Sequence, residues 1–96
     1  MGEKKQLEFS LRSIANIEAI RSHIAADNPA AANKVIESVA SAADKLMDFS
    51  MLGHAGRRSG TRELVLSKYP YTIVYRLTQK KVIIAAVIHQ SRRNPK

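Results

Sequence analysis

Apolar residues return along this chain with two different periods, and the change between them divides it. From Ser10 to Asp48 they recur every three or four positions, the spacing of one helical face. From Thr61 to Ile88 they alternate with polar residues or run together, as strands do. The helical part opens with Ser10, a residue type that caps helices by accepting an N–H of the first turn. Ile14, Ile17, Ile20 and Ile24 follow on one face, and Phe9 and Ile14 are spaced for a hydrophobic staple. Arg12, Glu18, Arg21 and His23 fall mostly on the wet side. Asp27-Asn28-Pro29 ends this helix at about Ala26, because a residue before proline is pushed out of helical geometry. Proline is favoured at the first position of a helix, so Asn28 caps a second one. Val35, Ile36, Val39, Ala42, Ala43, Leu46 and Met47 carry that helix to about Asp48. So short a connection predicts a helical hairpin.

Phe49 to Ser59 reads as a loop, with Gly53, Gly56 and Gly60 breaking any helix. Thr61 to Ser67 sets Arg62, Leu64 and Leu66 against Glu63 and Val65. Tyr71 to Leu77 sets Tyr71, Ile73, Tyr75 and Leu77 against Thr72, Val74 and Arg76. Val82 to Ile88 is apolar without a break, the mark of a strand covered on both faces. Lys68-Tyr69-Pro70 and Thr78 to Lys81 are the turns between these three strands. Lys4 to Phe9 makes a short first strand, with Leu7 and Phe9 on one face. The expectation is a single α+β domain over residues 1–96. A helical hairpin over about 10–48 packs on a small twisted antiparallel sheet. A loop spans 49–60, a β-meander 61–88 and a basic tail 89–96.

Composition narrows the chemistry. The chain has no cysteine, which excludes thiolate nucleophiles and thiolate metal sites and suits a reducing cytoplasm. Met1 to Ser10 has no apolar signal-peptide core, and no apolar run approaches the roughly 20 residues of a membrane span. His23, His54 and His89 show no metal-ligand spacing, no glycine-rich phosphate loop precedes a helix, and paired carboxylates are missing. No metal or cofactor is expected.

The net charge of +8 is divided unevenly. Residues 1–50 hold six Lys/Arg and seven Asp/Glu, a balance of −1, whereas residues 51–96 hold ten Lys/Arg and one acid, Glu63, a balance of +9. Such asymmetry points to an acidic protein or nucleic-acid partner. Arginine binds carboxylates and phosphates bidentately, so Arg57, Arg58, Arg62, Arg76, Arg92 and Arg93 are candidate binding residues. His89 joins them, because histidine exchanges protons near neutral pH. Folding least explains Arg57, Arg58, Arg92 and Arg93, which stand in the loop and tail. Arg76 has a competing role as an ion-pair partner of Glu63 on the neighbouring strand. Tyr71 and Tyr75 share a face with Ile73, which favours core packing over stacking on bases.

Taken in order, several of these segments resemble the RelE/ParE superfamily, the toxins of bacterial type II toxin–antitoxin systems. They are Phe9-Ser10, the isoleucine helix, Asp27-Asn28-Pro29-Ala30-Ala31-Ala32, Phe49 with Leu52-Gly53, Gly60-Thr61-Arg62-Glu63-Leu64, Tyr69-Pro70-Tyr71, Ile73-Val74-Tyr75-Arg76, and His89 with Arg92-Arg93. The resemblance implies a helical hairpin on a twisted antiparallel sheet, and a cytoplasmic toxin held inactive in a hetero-oligomer with a ParD-like, acidic and partly disordered antitoxin. It implies one of two activities. RelE-like members cleave messenger RNA in the ribosome; on that reading Arg62, Arg76 and His89 are the catalytic candidates. ParE-like members act on DNA gyrase and block replication, without known nuclease activity. Many RelE-like nucleases carry arginine at the positions of Thr72 and Ile88 and a tyrosine near the C-terminus. This chain has none of the three, and its Gly-Thr-Arg-Glu-Leu and Tyr-Pro-Tyr segments look more like ParE. On either reading the toxic surface is Arg57, Arg58, Arg62, Arg76, His89, Arg92 and Arg93. The alternative outside the family is a non-enzymatic, basic nucleic-acid binding module.

Overall fold

A computed structural model describes residues 4–92. Its elements are β1 (Gln6–Phe9), α1 (Leu11–Ala25), α2 (Pro29–Asp48), β2 (His54–Ala55), β3 (Arg62–Val65), β4 (Tyr71–Leu77), β5 (Lys81–His89) and a 3-10 turn, Gln90–Arg92. Both helix caps form where the sequence predicts them. The Ser10 hydroxyl accepts the Ser13 N–H at 3.0 Å, and Asn28 Oδ1 accepts the Ala31 N–H at 3.0 Å, with Pro29 beside it in the first turn of α2.

The two helices pack on a five-stranded sheet of order β1-β5-β4-β3-β2, an α+β fold. The sheet is mixed rather than antiparallel. β2 to β5 pair antiparallel, but β1 pairs parallel to β5, from Gln6 opposite Lys81 to Phe9 opposite Ile84. Alternation cannot distinguish the two, because Leu7 and Phe9 face the helices whichever way the strand runs. The long crossover through α1 and α2 is what permits a parallel pair. The stretch 49–60 is also not all loop: His54–Ala55 pairs with Glu63 and Arg62 as β2.

The core lies between α2 and one face of the sheet. Val35, Val39, Ala43 and Leu46 meet Ile73, Tyr75, Val82, Ile84 and Val87. Each fully buried aliphatic side chain contributes about 1.5–3 kcal/mol, and Leu46, Ile73 and Ile84 are wholly enclosed.

The first helix departs from its predicted face at one turn. Ile17, Ile20 and Ile24 pack against the core, but Ile14 is 46% exposed and Ser13 is buried in its place. The cause is the edge of β5. β1 covers β5 only as far as Ile84, and beyond it the chain turns into α1, which lies along the uncovered half. There the Ser10 hydroxyl donates to the Ala85 carbonyl at 3.0 Å, and Asn16 Oδ1 accepts the Val87 N–H at 3.1 Å. Ser10, Ser13 and Asn16 thus form a polar stripe at helical spacing. Ser10 and Asn16 satisfy backbone groups that an open strand edge leaves unpaired, Ser13 between them donates to the Ser10 carbonyl at 2.8 Å, and this polar face leaves Ile14 turned outward.

β5 carries an irregularity at the same place. Val74 pairs with Ala86 and Tyr75 with Ile84, so Ala85 is an extra residue. A bulge of this kind bends the strand and increases its twist.

Candidate functional site

The face of the sheet turned away from the helices holds a cleft of about 270 Å³ whose lining includes Arg12, Arg57, Arg58, Glu63 and Arg76. Val74, Ala85, Ala86 and Ile88 form its apolar part. The bulge shapes it. Successive residues of a regular strand point to opposite faces, but here Ala85 and Ala86 both border the cleft, and their small side chains leave it hollow.

Each arginine arrives by a different route. Arg76 projects from β4 on the same face as Thr72 and Val74, and its guanidinium lies beside Gly60. Gly60 has φ +82°, a conformation glycine adopts without steric cost, and it lets the chain reverse into β3. Arg57 and Arg58 stand on a closed turn. The Gly56 N–H donates to the Thr61 carbonyl at 2.8 Å, and the Thr61 hydroxyl donates to the Arg58 carbonyl at 2.7 Å. Glu63, 5% exposed, accepts the Arg57 N–H at 3.3 Å through Oε2. The only acid of the basic half therefore helps hold the turn that presents two arginines. Register also sets Glu63 opposite Val74, diagonal to Arg76 on one face. Arg12 comes from the first turn of α1. The sequence offers no signal for it, since an arginine on the wet side of a helix is an ordinary solvating residue.

The fold does not bring the other candidates to this cleft. Arg62 pairs across from Tyr75 and so points to the helix side. Its guanidinium donates to the carbonyls of Gly53 and, at 3.3 Å, Met51. Tyr75, wholly buried, accepts the Gly53 N–H at 3.0 Å and donates to the Ser50 carbonyl at 2.8 Å. Arg62 and Tyr75 together clamp the segment 50–53. His89 pairs across from Tyr71, again on the helix side, and meets its ring edge-on at 5.3 Å. Its Nδ1 accepts the Ser91 N–H at 3.1 Å. Arg62, Arg76 and His89 thus do not share a face. Arg92 ends the 3-10 turn, and Arg93 lies outside the described residues, as does the rest of the predicted basic tail.

A second concave surface runs between α2 and β3, a groove of about 700 Å³. Ala42, Leu52, Leu64, Val65, Leu66 and Tyr69 supply its apolar lining, and Lys34, Lys45 and Lys68 line it together with Glu37 and three serines. β2 pairs with β3 only at Arg62 and Glu63, and Val65 beyond them is 41% exposed. Leu52, 52% exposed, joins the groove to a neighbouring concave surface that Phe49 and Met51 line, and these two are 64% and 65% exposed. Among the described residues no group of three His, Cys, Asp or Glu is placed to hold a metal ion, and no helix is long and apolar enough to cross a membrane.

The chain is thus a helical hairpin on a small mixed sheet, with an arginine-lined cleft on the face away from the helices and a second groove between α2 and β3. Residues 7–94 match the family described as ParE toxin of type II toxin-antitoxin system, parDE. The chain belongs to this family. It is 35% identical over 92 residues to the protein named "Putative toxin Y4kP" of Sinorhizobium fredii, spanning 96% of this chain and 95% of that one. Its fold matches a chain of the chromosomal ParDE toxin–antitoxin system from P. aeruginosa with a TM-score of 0.81 at 20% identity, covering 92% of this chain and 98% of the other. It also matches a chain of the toxin–antitoxin complex RelBE2 from Mycobacterium tuberculosis, with a TM-score of 0.62 at 19% identity over 93% and 94% of the two chains.

Proposed function

We propose that this toxin inhibits DNA gyrase, and through it replication, in the cytoplasm of cells where its antitoxin is lacking. One observation carries the choice of gyrase over message cleavage. Thr72 and Ile88, the positions where RelE-like nucleases resemble one another in carrying arginine, are cross-strand partners on the cleft side of the sheet. Thr72 is fully buried, and Ile88 supplies apolar lining to the cleft. Cations that would stabilise a scissile phosphate are thus replaced by a hydroxyl and an aliphatic side chain. The surface that acts on the target is the cleft with Arg57, Arg58 and Arg76, and Arg12 joins them.

Neutralisation by an antitoxin uses the opposite side. The groove between α2 and β3 combines apolar residues with three lysines, Lys34, Lys45 and Lys68, which fits an acidic amphipathic segment that folds as it docks. The fold relatives come from ParDE and RelBE2 systems, in keeping with such a partner.

The test is paired. Purified toxin is added to gyrase supercoiling reactions and, separately, to ribosomes programmed with message. Loss of supercoiling with intact message is the expected result. Cleavage of ribosome-bound message without gyrase inhibition would reverse the assignment.

A further inference from the structure

We infer that the arginine cleft receives an acidic protein segment anchored by one aliphatic side chain, rather than a nucleic-acid strand. This deepens the reading of the cleft as the toxic surface and rests on that reading for the identity of the partner, though not for the chemistry of recognition.

The observations distinguish the two ligands. Both carboxylates and phosphates suit guanidinium forks, so Arg12, Arg57, Arg58 and Arg76 alone decide nothing. The floor does. A single-strand binder gains much of its affinity by stacking bases on aromatic rings. The tyrosines of β4, Tyr71 and Tyr75, point to the helix side and are buried, and among the described residues no aromatic side chain lines the cleft. Its floor is Val74, Ala85, Ala86 and Ile88 instead. An apolar centre ringed by charged residues is the arrangement of a protein interface: the anchor is desolvated in the middle and polar contacts surround it. At about 270 Å³ the hollow admits a side chain of leucine or isoleucine size with the backbone that carries it. Glu63 agrees with this division. It is 5% exposed and is used from within, through its bond to the Arg57 N–H. The outward charge of the cleft is therefore dominated by the guanidiniums of the exposed Arg12, Arg57, Arg58 and Arg76.

Peptide display on immobilised, purified toxin tests this directly. Selected sequences should place Leu, Ile or Val between Asp or Glu residues. A labelled peptide from that selection, followed by fluorescence anisotropy, should bind at least tenfold more weakly when its aliphatic residue becomes Gly, a loss in line with burying one such side chain. It should also lose binding to Arg58→Glu/Arg76→Glu toxin of unchanged melting temperature, and a peptide with Lys in place of Asp and Glu should recover binding to that variant. Ala85→Leu, which fills the hollow and leaves every charge in place, should abolish binding of the acidic peptide. Selection of sequences without this pattern, equal binding of wild-type toxin and both variants, or tighter binding of a single-stranded RNA of equal charge would each overturn the inference. The outcome separates from that of the gyrase assay. Peptide binding without gyrase inhibition removes the proposed target and leaves the recognition chemistry. Gyrase inhibition that survives Arg58→Glu/Arg76→Glu and Ala85→Leu removes the recognition chemistry and leaves the target.

Discussion

Removing one oxygen atom, in Tyr75→Phe, should test how the segment 50–53 is held. The ring is wholly buried and the substitution leaves its volume in place, so no cavity forms. What is lost is the acceptor of the Gly53 N–H at 3.0 Å and the donor to the Ser50 carbonyl at 2.8 Å. A net hydrogen bond contributes about 1 kcal/mol, and a buried donor left without a partner costs about 1–3 kcal/mol. Gly53 is buried, so its N–H has no ready substitute, whereas Ser50 is half-buried and its carbonyl can turn to water. The expected destabilisation is about 2–3 kcal/mol, which for a domain of this size lowers the melting temperature by about 10–20 °C. Urea denaturation should show a lower midpoint with an unchanged slope. Tyr71→Phe is the control, because the Tyr71 hydroxyl has no hydrogen bond among the described residues; it should change stability by less than about 0.5 kcal/mol. If Tyr75→Phe behaves like that control, the hydroxyl does not clamp the segment.

Five other substitutions separate folding roles from functional ones. Arg57→Ala and Arg58→Ala should relieve growth inhibition while changing stability by less than about 0.5 kcal/mol, as exposed positions do; unchanged toxicity with both replaced would remove the turn from the toxic surface. Arg62→Ala should instead lower stability, by about 1–3 kcal/mol, because two carbonyl bonds are lost; a wild-type melting curve with lost toxicity would restore Arg62 to the functional set. Thr72→Val should raise stability by about 1 kcal/mol in thermal denaturation, since the Thr72 hydroxyl is buried without a hydrogen-bond partner among the described residues and desolvating such a group is unfavourable. Gly60→Ala should cost about 1–2 kcal/mol, because its φ of +82° crowds a β-carbon against the backbone; the same denaturation measures it.

Much of the helical half was legible because its signals are local. A cap needs one side chain and an N–H three residues on, so Ser10 and Asn28 could be read directly. The amphipathic face of α2 needs only helical spacing, and it appears in the structure as Val35, Val39, Ala43 and Leu46. The alternation of β3 and β4 likewise fixed which residues face the helices. Reading failed where a residue answers to something distant in the chain. Ile14 has the spacing of a core residue, but Ser13 holds the buried place because α1 must satisfy the edge of β5. Alternation already sets Arg62 on the face of Leu64 and Leu66, but the loop carbonyls of Met51 and Gly53 that it binds there come from a segment whose path only the tertiary structure decides.

The division for the functional surface follows the same physics. Segregation of charge into residues 51–96 is a property of the sequence alone, and so is the wording that resembles the toxin family. Which arginines act together is not, because a cleft is made by pairing. Strand register puts Arg76 on the face of Glu63 and takes His89 to the face of Tyr71. The bulge at Ala85 gives that face its hollow, and the crossover that carries α1 along β5 brings Arg12, distant in sequence, to its rim. Local spacing specifies each element, but only long-range hydrogen bonding between strands decides which side chains share one side of the sheet.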